Sequence, residues 1–315
     1  MGKTGIGIIL LIVINLIIYL NRNKGFEYIE ALPLEKLYPS VCNNDCIKKW
    51  EGTDKKFSLP ELEKGLLFLK TKLSWDTIKT DEKKIITIAA YLFQSYRHQL
   101  GRPSERLNNL PPLQQLELLS ADTSEHLWCG NFQFIFDFFT FSAGLRNRYV
   151  EINSYPGVPI SGTHEINEIY LDNYKKWIMV DVTRNMILVK KNNSPLSAAE
   201  YFNFRLYNKS DTLQILRSAS NNSIIFDTLI AEKKREDEFF NKDFFLRYYY
   251  ITDLHMVYDP FQKIKRYLLP HPWYAIYDPQ HTYTNFRFRI KQFFILILGI
   301  FLLLYLYSFL KINKK

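Results

Sequence analysis

The sequence has little that would suit it to nucleic acid or to a metal. Its formal charge is +9, but the lysines and arginines are interleaved with acids. They form no stripe of the kind that tracks a phosphate backbone, so the excess reads as solvated surface plus basic residues beside greasy ends. Cysteine is scarce, with three in 315 residues. Cys42 and Cys46 lie close together in Cys-Asn-Asn-Asp-Cys, without the second pair or nearby His that a zinc site needs. His164 and Glu168 hint at His-Glu-x-x-His, but the second His is missing and the local period is two. No metal or other cofactor is expected. No internal repeat or low-complexity tract is present, which excludes a solenoid.

What the chain has is apolar residues, and many of them sit at its ends. Residues 5–20 are apolar except for Asn15. The run ends in Tyr19-Leu20-Asn21-Arg22, with no small-x-small cleavage site, so it reads as an uncleaved anchor. Residues 293–310 form an uninterrupted apolar run, with Arg287, Arg289 and Lys291 before it and Lys311, Lys314 and Lys315 after it. That is the pattern of a transmembrane helix. If both segments cross a bilayer, residues 21–292 lie on one side and both termini on the other. Cys42 and Cys46 suggest either a short-loop disulfide or two unlinked thiols. The disulfide reading favours an extracytoplasmic domain.

Between the ends the organisation is uneven. The expected division is 1–24 anchor, 25–58 linker, 59–194 catalytic domain, 195–290 aromatic-rich extension and 291–315 membrane helix with a basic tail. Helices are expected at 59–73, 81–100 and 113–119 from their apolar spacing. Asp122, Thr123 and Ser124 offer N-cap chemistry for a further helix that runs from Cys129 to a Gly144 cap. That helix looks apolar on nearly every face and so should be buried. Strands are expected from Arg148, from Glu165 to Leu171 and from Lys176 to Val182, the last two joined by an Asp172-Asn173 turn. A helix followed by antiparallel strands indicates an α+β fold. A short helix is expected near Ser197, another over residues 229–248, and strands covering the sheet from Phe244 to Asp278.

Cys129 falls where a helix begins. There, unpaired N–H groups and the macrodipole stabilise a thiolate. A nucleophilic thiol also needs a base, and the base needs an orienting partner. His164 starts one expected strand and Asp181 ends the next, and a hairpin would bring the two together. Cys129, His164 and Asp181 thus form a candidate Cys-His-Asp relay. His126, three residues before Cys129, is a rival base with no evident carboxylate partner. Trp128 and Trp177 are candidate walls of a substrate cleft.

These segments resemble the transglutaminase-like superfamily. Trp128-Cys-Gly-Asn-Phe through Ala143-Gly-Leu-Arg-Asn-Arg-Tyr-Val matches a Cys-led helix, a Gly turn and a strand opening on Arg-Tyr-Val. Thr163-His-Glu-Ile-Asn-Glu-Ile-Tyr-Leu resembles the family's His strand. Lys176-Trp-Ile-Met-Val-Asp-Val-Thr resembles its Trp-containing strand ending in Asp-Pro-Thr. The similarity covers about residues 85–185. It implies a papain-like fold and thiol acyl chemistry on amide bonds of a peptide or protein substrate. Trp128 stands where cross-linking members often carry Gln, which tilts the reading toward a hydrolase (protease or amidase) over an acyltransferase. Val182 replaces the usual Pro. The backbone N–H of Cys129 and the side chains of Gln94 and Gln133 are candidate oxyanion donors. No acidic loop suited to calcium is recognisable. A membrane binding or assembly module that keeps the fold without catalysis is the alternative class, and no membrane protein partner can be read from the chain.

Overall fold

The computed structural model describes residues 3–20, 28, 30–39, 57–155, 162–207, 212–219, 224–230, 239–249, 261, 274–280 and 285–312. Cys42 and Cys46 lie outside the described residues. The chain divides into two compact units. One holds residues 1–30, 254–273 and 281–315, and the other holds residues 31–253 and 274–280.

The first unit is built on two helices, α1 (Lys3–Leu20) and the C-terminal helix Phe286–Ile312. Gly7 of α1 faces Phe301, and Asn15 Nδ2 donates to the Phe294 carbonyl at 3.5 Å. The pairing 7 with 301 and 15 with 294 makes the two helices antiparallel. Asn15 also donates to Leu11 O at 2.9 Å, so its Nδ2 group is engaged along an otherwise apolar face. Among the described residues one helical stretch, Phe286–Tyr307, is long and apolar enough to cross a membrane. The apolar stretch of α1, Gly5–Leu20, spans only about 24 Å at the helical rise, short of a bilayer core of about 30 Å. The N-terminal crossing expected from the sequence is therefore not established.

The larger unit is α+β. Its elements in chain order are β1 (Glu30–Ala31), α2 (Leu34–Leu37), α3 (Leu59–Leu73), α4 (Asp81–Tyr96), α5 (Glu105–Asn108), α6 (Pro112–Ala121) and α7 (Cys129–Ser142). Then follow β2 (Arg146–Ser154), β3 (Thr163–Leu171), β4 (Lys176–Val180), β5 (Leu188–Lys191), β6 (Ser194–Pro195), α8 (Ala198–Tyr207), β7 (Thr212–Ser218), β8 (Ile224–Ile230), β9 (Phe244–Tyr249) and β10 (Tyr274–Tyr277). The main sheet runs β1-β10-β9-β2-β3-β4, and a second sheet runs β6-β5-β7-β8. Strands β2, β3 and β4 form consecutive antiparallel pairs, while β9 returns from far along the chain to pair with β2.

The period of two along β4 shows how the main sheet is buried on both faces. Trp177 and Met179 belong to one core with residues of α8, Leu32 and Leu37. Ile178 and Val180 belong to the other, with α4, α6 and α7. Central helix α7 lies in this second core through Phe132, Ile135, Phe136 and Phe139, all at most 1% exposed. Its end is set by Gly144, whose φ of +73° is a left-handed conformation that favours glycine at the residue after the cap. At α3, a Cβ on Gly65 would lie 2.1 Å from Ser142 Oγ and 2.7 Å from Phe138 Cζ. Glycine there lets α3 approach α7 closely.

Three expectations need correction. The helix anticipated over 229–248 is not formed by its described residues, since β8 reaches Ile230 and β9 begins at Phe244. The deciding pattern is alternation. Phe244, Leu246 and Tyr248 enter one core, which a helical period would not allow. The aromatic strands after Phe244 do not cover the sheet but extend it edge to edge, as β9 pairs with β2 and β10 with β9. Asp122 and Ser124 do not cap α7, which begins at Cys129. Asp122 Oδ1 instead accepts from Ser124 N at 2.9 Å in a turn after α6.

Candidate active site

The approach to Cys129 is held rigidly from below. Leu127 N donates to Gln99 O at 2.9 Å, and Gly101 N donates to Leu127 O at 3.0 Å. Gln99, 2% exposed, donates its side-chain amide to the carbonyls of Leu119, Asp122 and Glu125 at 3.0–3.2 Å. Asn131 then fixes the helix start. Its Oδ1 accepts from Trp128 N at 3.3 Å, and its Nδ2 donates to Asn108 Oδ1 and Gln115 Oε1 at 3.1 and 3.2 Å. These bonds place Cys129 in the first turn, where backbone N–H groups have no intrahelical acceptor. Cys129 is half-buried and unbonded to another cysteine. A Cβ on Gly130 would meet Glu165 Oε2 at 2.6 Å, so glycine at this position lets β3 come against the helix start.

His164 is the second residue of β3, and Asp181 directly follows β4. The β3–β4 register pairs Leu171 with Lys176 and Asn167 with Val180. Continued by one step, it brings Asp181 alongside the beginning of β3. His164 Nε2 lies 2.6 Å from Asp181 Oδ2, with the two residues 4% and 1% exposed. The carboxylate is itself oriented. Its Oδ1 accepts from Arg184 N at 3.1 Å, and Asp181 and Met186 exchange backbone bonds at 2.9 and 2.8 Å. Asn185, at φ 56°, turns the chain and clamps Ser218 through its amide, accepting from Ser218 N and donating to Ser218 O, both at 2.8 Å.

Burial alone would push the His164 imidazole down. The charge of Asp181, the hydrogen bond to it and a hydrogen bond with Cys129 outweigh burial and raise it to about 9, with Arg184 opposing them. Since Nε2 is committed to Asp181, Nδ1 is the ring nitrogen left for Cys129. The structure thus brings Cys129, His164 and Asp181 together. One face of the imidazole is covered by Phe239, whose ring stacks on it at 5.1 Å and 15°. The Arg184 guanidinium lies 4.8 Å from the centre of the same phenyl ring.

The remaining residues singled out from the sequence divide plainly. Trp128 is 49% exposed beside Cys129, where a cleft wall would stand. Trp177 is 1% exposed. It packs against Tyr170 and the Arg148 guanidinium, so it cannot line an open cleft. His126 is exposed and its ring rests on Gly101. Gln94 donates to Ser218 Oγ and to Ala219 O, so its amide is engaged away from the thiol. Gln133 is 6% exposed, and its Nε2 has no hydrogen-bond partner among the described residues. It sits one turn beyond Cys129 on the same helix face. Glu168 is no metal ligand but half of a buried ion pair with Arg148. Among the described residues, no group of three His, Cys, Asp or Glu is placed to hold a metal.

Sequence reasoning missed three features of this site. Phe239 reaches His164 across 75 residues, and no local pattern announces such a contact. The Asn131 clamp on Trp128 has a local signal, the N-cap-to-N3 spacing of a capping arrangement. Helix α7 also carries polar positions on the sheet side, since Asn147 Nδ2 donates to Thr140 Oγ1 at 2.8 Å and Asn167 Nδ2 to Asn147 Oδ1 at 3.1 Å. Cys129, Gln133, Asp137 and Thr140 recur at helical spacing and could have been read as one polar stripe.

No protein-family model matches the chain, and no curated protein matches it. Among solved structures it is similar to one described as a "putative cysteine protease" from Cytophaga hutchinsonii. The identity is 17% and the TM-score 0.31, over 50% of this chain and 46% of that one. The chain thus matches less than half the length of that structure, and the chemistry is read from its own geometry.

Proposed function

We propose that the chain is a membrane-anchored cysteine hydrolase of the transglutaminase-like, papain-like type, acting on amide bonds of a peptide or protein. One observation carries the reading. A buried His164–Asp181 pair presents its remaining ring nitrogen to a half-buried thiol in the first turn of a helix. The proton of Cys129 passes to His164, and Asp181 holds the tautomer and supports the imidazolium. The thiolate attacks the amide carbonyl and forms the C–S bond. The backbone N–H of Cys129 is the assigned oxyanion donor. As the C–N bond breaks, the imidazolium gives its proton to the departing amine, leaving a thioester. Water, deprotonated by His164, then attacks the thioester. The carboxylic acid leaves, and the thiolate returns to Cys129.

The apolar stretch Phe286–Tyr307 is the proposed membrane anchor, with α1 packed antiparallel to it. An extracytoplasmic catalytic unit follows if Cys42 and Cys46 are bonded. Acyl transfer to an amine uses the same thioester. The exposed Trp128 before the thiol favours water as acceptor, because cross-linking relatives often carry Gln there.

The reading is tested by incubating the detergent-solubilised full chain with an activated p-nitrophenyl acyl ester and analysing quenched samples by mass spectrometry. A single acyl adduct on Cys129, absent from Cys129→Ser and about a hundredfold or more slower in His164→Ala, is expected from the loss of a positioned base. An adduct formed equally fast in His164→Ala would defeat the relay. A parent chain with no adduct at Cys129 would favour a binding module that keeps the fold.

A further inference from the structure

From the stack of rings over the imidazole, we infer that Phe239 is a positioning residue for His164, holding the base in the one orientation that serves both Asp181 and Cys129. The inference rests on the acyl-transfer reading of the site and adds to it a residue from far outside the Cys, His and Asp segments.

An imidazole bonded only at Nε2 can still rotate about that bond. Rotation would swing Nδ1 away from the thiol while the 2.6 Å contact with Asp181 survived. A flat ring laid parallel at 5.1 Å and 15° removes that freedom. Phe239 is itself held in place. Its ring meets Phe244 edge-on at 5.5 Å, and a Cβ on Gly162 would lie 3.2 Å from its Cε1. It packs against the core that contains Phe240 and Phe244. The Arg184 guanidinium lies 4.8 Å from the same ring. Arg184 also donates its backbone N–H to Asp181, so one short turn braces both the carboxylate and the phenyl ring. Among the described residues, the titratable and charged groups that act on His164 are Asp181, Cys129 and Arg184. The phenyl ring adds no charge to them. It excludes water from the imidazole face, where water would weaken the bond to the carboxylate.

The test compares alkylation of Cys129 by iodoacetamide across pH 5–10 in the parent chain, Phe239→Leu and Phe239→Trp. Leucine keeps apolar bulk and loses the flat face, whereas tryptophan keeps the face. Phe239→Leu is expected to label about tenfold more slowly at pH 6 than the parent, the order of loss that a small misplacement of a reacting group produces. Its profile should move toward that of an ordinary thiol, and Phe239→Trp should stay close to the parent. If the leucine chain does not fold, Phe239→Met supplies the same comparison. A folded Phe239→Leu with the parent's profile overturns the role of Phe239 alone, as does an equal loss in the leucine and tryptophan chains, which would report packing. A parent chain that already labels like an ordinary thiol overturns the acyl-transfer reading itself, and the role of Phe239 with it.

Discussion

Strand β3 carries two buried ionic pairs four residues apart, and they have opposite characters. At Glu168 both carboxylate oxygens are answered. The carboxylate lies 2.7 Å from Arg148 Nε and 2.5 Å from Arg148 Nη2. It also accepts from Tyr38 Oη at 2.7 Å and from Ala198 N at 2.6 Å, at the first residue of α8. Arg148 donates to Leu37 O at 3.1 Å and lies 4.5–4.8 Å from the ring centres of Trp177, Tyr38 and Tyr248. Both side chains are fully buried. At His164 the pair is just as dry, but one ring nitrogen is left over and points to a half-buried thiol. Two ion pairs on one strand thus differ in closure. The closed pair ties β2, β3, α8 and the segment around Leu37 into a scaffold. The open pair reaches beyond itself to Cys129, the arrangement on which the proposed thiol chemistry rests.

The closed pair should be the more sensitive of the two to substitution. Arg148→Met strands Glu168 in the core, a defect that typically costs about 3–5 kcal/mol. Chemical denaturation in detergent should show that loss, and the fraction that stays folded should keep the parent's Cys129 labelling rate. Adding Glu168→Gln should recover part of the stability. A single Arg148→Met change that left stability intact would show that the closed pair is not structural.

The open pair should reveal itself through pH. The His164 imidazole is raised in the folded chain to about 9 from an ordinary 6.5. A raised group contributes its full stability below the unfolded value and loses it as pH climbs through the folded value. Stability should therefore fall between about pH 6.5 and 9 by up to about 3 kcal/mol, the equivalent of that shift. Unfolding midpoints measured across this window should fall in the parent and stay nearly level in His164→Ala.

A smaller effect is expected at the clamp below the thiol. Asn131→Ala removes the acceptor for Trp128 N and the donors to Asn108 and Gln115. A loss of about 1–2 kcal/mol, typical of a lost cap plus a buried hydrogen bond, should appear in the same denaturation experiment. Cys129 labelling should slow with it, because the first turn loosens. Slower labelling without any loss of stability would contradict a clamp.

Much of this was legible in the sequence where the signal is local. The apolar spacing over 59–73 and 81–100 and the strand patterns from Glu165 to Leu171 and from Lys176 onward all mark elements that the structure contains. The positions of Cys129, His164 and Asp181 at element ends were legible for the same reason. What escaped is long-range. Arg148 and Glu168 sit directly opposite in the β2–β3 register, but nothing near either residue says that both will be buried. Trp177 looked like a cleft wall because aromatic residues beside a site often are. Only the core built around α8, on the face of the sheet away from α7, shows why it is buried. The run after residue 229 misled because its described strands mix charged and aromatic residues, and the alternation at Phe244, Leu246 and Tyr248 was the weaker cue.

The proposed chemistry requires that His164 activate Cys129. The most direct measurement is the iodoacetamide labelling rate of the solubilised full chain as a function of pH, with Cys129→Ser identifying the labelled site and His164→Ala removing the base. Rapid labelling of Cys129 well below the ordinary thiol range of about pH 8.5, lost in His164→Ala, is the predicted result. Slow labelling that follows ordinary thiol pH dependence and is unchanged by His164→Ala would contradict the account and return the chain to the class of binding modules.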